Sequence, residues 1–186
     1  MSRVRAFIAL PTPPSIKEQL RLLVSELKQL EADVKWDSSE KFHITLKFLG
    51  NVEAQLLENL IAAVHLIPQR QPFDLSYETL GAFPDLTNPR VIWVGTAQSN
   101  ALRSLQQHVD DVCAQFGFHK EEREFHSHIT LGRVKGSRNI HRLTDKLKSL
   151  TLEPITSRCT ELLVMRSELR PSGSVYSVLK SIPLQS

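Results

Sequence analysis

The tetrapeptide His-Ile-Thr-Leu occurs twice in this chain, at residues 43–46 and 128–131. In an extended strand, residues i and i+2 point to the same face. His43 and Thr45 therefore project together, and so do His128 and Thr130. An imidazole titrates near neutrality, so of two in one cleft the neutral one can take a proton while the charged one gives a proton. Threonine hydroxyls donate to the non-bridging oxygens of a phosphate. Two histidines and two threonines facing one cleft suit displacement at a phosphodiester, a reaction governed by positioning and electrostatics. Side chains then supply acid, base and phosphate clamp, and the scheme calls for neither metal nor cofactor. A single His-x-Thr is ordinary strand sequence; two identical copies in a repeated frame are not.

That frame comes from the elements around the motifs. Ile16, Leu20, Leu23, Leu27 and Leu30 share one helical face, and Ser15 with Glu18 has the spacing of a capping box after Pro13-Pro14. Further helical faces run through Leu56, Leu60, Val64 and Ile67, through Leu102, Leu105, Val109, Val112 and Phe116, and through Ile140, Leu143, Leu147 and Leu150. Strand-like runs cover 4–10, 41–49, 73–82, 91–96, 124–134 and 156–165, and a last one covers 174–182. The order strand, helix, strand, helix, strand thus occurs twice. Phe7-Ile8-Ala9-Leu10 stands 85 residues before Ile92-Trp93-Val94-Gly95, the same offset that separates position 43 from position 128. The expected architecture is α+β: a single bilobal domain over 1–186, with an internal repeat of about 3–83 and 90–168. Two antiparallel sheets would face a central cleft, with helices on the outer faces. The turn-forming segment 83–89 is the expected linker.

Strict alternation assigns the remaining positions. Lys47 falls on the face of His43 and Thr45, while Phe42, Ile44, Leu46 and Phe48 fall on the other. His126 shares parity with His128 and can line the same cleft. Tyr176 and Trp93 can stack on a base. A metal site built on His43, His126 and His128 lacks a carboxylate or cysteine at a familiar ligand spacing.

The 186 residues carry a net charge of +3 that hides an asymmetry. Residues 1–130 hold 13 basic and 16 acidic side chains, and residues 131–186 hold 10 basic and 4 acidic. A basic C-terminal third favours a polyanionic partner. No apolar run reaches the roughly 18 residues of a membrane helix, and the apolar stretch 6–10 stops at Pro11, too short for a secretory segment. Two cysteines with no C-x-x-C spacing make no disulfide framework. The expectation is a soluble, cytoplasmic monomer.

These residues resemble the two-histidine (2H) phosphoesterases, defined by paired His-x-Thr/Ser-x motifs. More narrowly, they resemble the RNA 2′,3′-cyclic phosphodiesterases of bacteria and archaea, formerly called 2′-5′ RNA ligases. The likeness rests on Arg5-Ala6-Phe7-Ile8-Ala9-Leu10-Pro11, on Phe42-His43-Ile44-Thr45-Leu46-Lys47-Phe48-Leu49-Gly50 and on Pro89-Arg90-Val91-Ile92-Trp93-Val94-Gly95. It extends through His128-Ile129-Thr130-Leu131-Gly132-Arg133 to the Pro-x-Gly-x-x-Tyr that ends at Tyr176. The resemblance implies hydrolysis of an RNA or nucleoside 2′,3′-cyclic phosphate to a 2′-phosphomonoester. In it His43 is the proton donor to the leaving 3′-oxygen and His128 the acceptor that activates water. Thr45 and Thr130 bind phosphate, and a weak reverse 2′-5′ ligation follows when a 5′-hydroxyl replaces water. Two departures stand out. Relatives usually carry arginine where this chain has Lys47, which loses the planar fork. Arg133, a further phosphate-binding candidate, lies on the wrong face by parity unless Gly132 marks a bulge.

Two other readings are compatible with the residues. One is a 2H activity on a small nucleotide, a cyclic ADP-ribose phosphate or a 2′-5′ oligonucleotide, which a comparison of mononucleotide with RNA oligomer separates. The other is a non-catalytic RNA-binding module, for which two symmetric histidines have no use.

Overall fold

The computed structural model describes residues 2–67, 71–171 and 173–185. Its strands are β1 (Arg3–Pro11), β2 (Val34–Trp36), β3 (His43–Glu53), β4 (Phe73–Phe83), β5 (Val91–Thr96), β6 (His128–Val134), β7 (Ile155–Cys159), β8 (Glu161–Arg170) and β9 (Gly173–Pro183). Its helices are α1 (Pro14–Lys28), α2 (Ala54–Val64), α3 (Asn100–Gln115) and α4 (Ile140–Ser149), with a 3-10 turn at Ser39–Lys41. The strands run antiparallel in the order β7-β4-β5-β6-β3-β1-β8-β9, and β2 pairs with β6. The two expected sheets are thus joined into one curled sheet. The join between β3 and β6 is the single pair Ile44–Ile129, after which β6 takes β2 as its neighbour.

Helices cover one face of this sheet. Apolar residues at helical spacing on α1 (Ile16, Leu20, Val24), α2 (Leu57, Leu60, Val64) and α3 (Leu102, Leu105, Val109, Cys113) pack against Ala6, Ile8, Leu10, Ile44, Ile129 and Leu131. Each such side chain, once fully buried, contributes about 1.5–3 kcal/mol. Leu143 and Leu147 of α4 close a second cluster over Ile92 and Ala82. The opposite face carries Phe7, Ala9 and Met165, with Leu163 and Tyr176 beside them. Among the described residues, no helix is long and apolar enough to cross a membrane.

Several expectations change. The capping box is absent: α1 begins at Pro14, so Ser15 lies inside the helix, and Glu18 pairs with Arg21 at 2.7 Å instead. The segment expected as a linker is the tip of the β4–β5 hairpin, where Arg90 N–H returns to Phe83 O at 2.7 Å. Asp85 Oδ1 organises that tip by accepting the N–H groups of Thr87 (2.7 Å) and Asn88 (3.0 Å). The run 156–165 is two strands that pair with different partners, β7 with β4 and β8 with β1. β6 starts at His128 and not at 124, because its partner β5 ends at Thr96 and offers no backbone further back. Strand β2 was not legible; three residues are too few to show a period.

Candidate active site

His43 and Thr45 flank Ile44 on β3, and His128 and Thr130 flank Ile129 on β6. Since Ile44 pairs with Ile129 and both are buried among the helices, alternation turns all four polar residues to the opposite face. They line one cavity of about 150 Å³, together with Phe7, Asp37, Lys41, Phe48, Arg133 and Tyr176.

The two imidazoles are anchored alike. His43 Nδ1–H donates to the Lys41 carbonyl at 2.6 Å, and His128 Nδ1–H donates to the His126 carbonyl at 2.7 Å. In each case the acceptor is the backbone two residues earlier, which selects the tautomer and leaves Nε2 as the nitrogen able to exchange a proton. His43 Nε2 lies 3.1 Å from Thr45 Oγ1. Aromatic rings pack around both. Phe7 and Tyr176 stand 4.9 and 5.3 Å from His43, and Phe83 stands 4.9 Å from His128. Burial among these rings disfavours the charged imidazole and pushes His43 down to about 4, against the bond to the Lys41 carbonyl and with help from the neighbouring His128 and Lys17 charges. Burial also lowers His128, aided by the like charges of His126 and Arg133, while the bond to the His126 carbonyl opposes the shift.

A one-residue bulge in each motif strand decides the next positions. Thr45 pairs with Ala9 but Lys47 with Ile8, and Thr130 pairs with Trp93 but Gly132 with Ile92. The extra residues are Leu46 and Leu131, at the same place in the two motifs. Each bulge puts two consecutive side chains on the helix side and reverses parity beyond. Lys47 is thereby removed from the cleft: it is buried and pairs with Asp110 of α3, also donating to His119 O at 2.5 Å. Phe48, expected in the core, instead turns outward and is 51% exposed at the cavity. Arg133 faces the cavity, on the side where parity alone did not put it. Gly132 leaves room on the helix side for Trp36 and Val34, whose atoms stand 2.8 Å from where a Cβ would be. Asp37 N–H occupies the carbonyl of the bulged Leu131 at 2.8 Å.

His126 precedes β6 and is not among the cavity residues. Its exposed ring packs edge-on to Trp93 at 4.7 Å, so it acts on His128 through its carbonyl and its nearby charge and not by lining the cavity. Trp93 is 7% exposed and its ring fills the space beside Gly81 and Gly95, a packing residue and not a platform for a base. Tyr176 lines the cavity from β9. Asp37 and Lys41, 3.6 Å apart, also line it and were missed by the sequence reading. Both come from the segment between α1 and β3, whose polar residues show no periodicity. Among the described residues, no three His, Cys, Asp or Glu side chains gather as a metal-binding group.

The chain has known relatives. The family model for LigT-like phosphoesterases matches residues 10–93 and again 94–176. A protein named RNA 2′,3′-cyclic phosphodiesterase from Methanothermobacter thermautotrophicus is 34% identical over 179 residues, covering 94% of this chain and 96% of that one. One of the same name from Aquifex aeolicus is 31% identical and spans 99% of both chains. The crystal structure of Escherichia coli LigT complexed with 3′-AMP superimposes with a TM-score of 0.80 at 26% identity over the full length of both. The chain belongs to the LigT-like phosphoesterase family.

Proposed function

We propose that this protein hydrolyses ribonucleoside 2′,3′-cyclic phosphate ends to 2′-phosphomonoesters. The observation that carries this reading is the matched anchoring of His43 and His128, each tied through Nδ1 to the carbonyl two residues back, beside Thr45 and Thr130 in one cavity. With the cyclic phosphate between the imidazoles, His128 Nε2 takes a proton from water as its oxygen attacks phosphorus. The bond from phosphorus to the 3′-oxygen breaks, and protonated His43 gives its proton to that oxygen. Thr45, Thr130 and Arg133 hold the non-bridging oxygens, where donors count most because negative charge builds up there. When a 5′-hydroxyl replaces water as the nucleophile, the same pair opens the cyclic phosphate to a 2′-5′ linkage: the new bond to phosphorus forms as the bond to the 3′-oxygen breaks, and that oxygen takes the proton. Relatives that carry the name RNA 2′,3′-cyclic phosphodiesterase along almost the whole chain support the substrate class.

The test is turnover of cytidine 2′,3′-cyclic phosphate after dialysis against EDTA, with the product identified by phosphorus NMR. The expected product is the 2′-monophosphate at undiminished rate. Activity that disappears with EDTA and returns with Zn²⁺ or Mn²⁺ overturns the metal-independent mechanism, and no turnover under either condition overturns the substrate.

A further inference from the structure

Beside the cavity, two ammonium groups converge on one point. Lys35 Nζ and Lys41 Nζ stand 3.2 and 3.7 Å from the position a Cβ would take on Gly173, at the tip of the β8–β9 hairpin. Gly173 has a backbone φ of +124°, a conformation that L side chains rarely adopt, so this point is kept clear of any side chain. The place adjoins the site already described. Lys41 and Arg133 line the cavity, and Lys35 is the cross-strand partner of Arg133, which puts both on one face. Tyr176, on the strand that starts at Gly173, lines the cavity too. Asp37 stands 3.6 Å from Lys41. Two cations held toward one cleared point, one carboxylate beside them and a phosphate cavity next door make a place for a second anion.

We propose that Lys35 and Lys41, with Gly173 between them, bind the phosphodiester that links the terminal nucleotide to its 5′ neighbour. The preferred substrate is therefore an RNA oligomer and not a mononucleotide. This rests on the function proposed above and adds a subsite to it. The terminal cyclic phosphate lies between His43 and His128. The next phosphate along the strand carries a full negative charge, and lysine meets it as a point charge with rotatable donors. A mononucleotide has nothing to offer this place.

The experiment compares three substrates with one terminal nucleoside: cytidine 2′,3′-cyclic phosphate, the dinucleotide ApC ending in the same cyclic phosphate, and that dinucleotide with a neutral methylphosphonate linkage. The dinucleotide is expected to exceed the mononucleotide in kcat/KM by about tenfold or more, the scale of one charge-assisted hydrogen bond. The methylphosphonate is expected to lose that advantage on the unmodified protein. Lys35→Gln is expected to remove most of the advantage for ApC while changing the mononucleotide by less than about threefold. Equal kcat/KM for all three substrates on the unmodified protein overturns the subsite and leaves the hydrolase reading standing. So does a Lys35→Gln loss that is the same for mononucleotide and dinucleotide. If no cyclic phosphate is turned over, both readings fall.

Discussion

Lys47 and Asp110 form an ion pair beneath the sheet, on the side away from His43. Asp110 also accepts the Glu121 N–H at 3.1 Å, and Lys47 also reaches His119 O. One buried pair thus ties β3 to α3 and to the loop that leads into His128. A charge of this kind left without its partner is costly, whereas an apolar replacement of both is tolerated. Lys47→Met is therefore expected to lower stability by about 3–5 kcal/mol, measured by urea unfolding. Adding Asp110→Leu should restore more than half of the loss. A Lys47→Met protein of normal stability with a raised KM would return Lys47 to the substrate.

His43→Ala and His128→Ala should each reduce kcat by at least about 10²-fold, the scale of acid–base groups. The double variant should be little worse than the poorer single one, because the two act as a unit. A nitrophenyl phosphodiester, whose leaving group needs no proton, should partly rescue the variant that lacks the acid. Rescue of His43→Ala is expected; rescue of His128→Ala instead exchanges the two roles.

Burial lowers both imidazoles in the free protein, His43 to about 4. The bell in kcat/KM, which reports free protein, should therefore be centred on the acid side of the reference value near 6.5. A bound phosphate anion favours charged imidazoles, so the bell in kcat should lie at higher pH. The same depression links to stability. Between about pH 4 and 6.5 the unfolded chain binds the proton that folded His43 refuses, so stability should rise with pH by up to about 1.4 kcal/mol per unit and level off above. In His43→Gln this slope should shrink. A slope in urea unfolding that stays unchanged in that variant removes His43 as its source.

Gly132 stands where β6 bulges and where Trp36 and Val34 cross it. A ring and a β-branched side chain have little room to give way. Gly132→Ala is expected to cost about 1–3 kcal/mol of stability, the range for overpacking. It should also lower kcat/KM on cyclic phosphate by turning Arg133 away from the cavity. Urea unfolding, steady-state kinetics and a crystal structure of the variant check the three effects; an unmoved Arg133 with full activity would separate the glycine from the site.

The residues that face the cleft through simple alternation were readable without coordinates. His43, Thr45, His128 and Thr130 sit at spacing two within apolar strands, a pattern that any one-sided sheet obeys. Helix existence and the α+β class followed from periodicity for the same local reason. Alternation fails where the backbone gains a residue. The bulges at Leu46 and Leu131 depend on register against β1 and β5, so only the tertiary structure sent Lys47 to Asp110, Phe48 outward and Arg133 into the cavity. Strand exchange was equally hidden. The run 156–165 reads as one strand, yet it divides at Thr160 because the sheet offers β4 at one end and β1 at the other. Lys35, Lys41 and Asp37 came from a segment with no period, and their place was decided by a three-residue strand that exists because β6 had an edge to fill. A sequence determines side-chain parity along a strand, but the hydrogen bonds of neighbouring strands decide where that parity breaks.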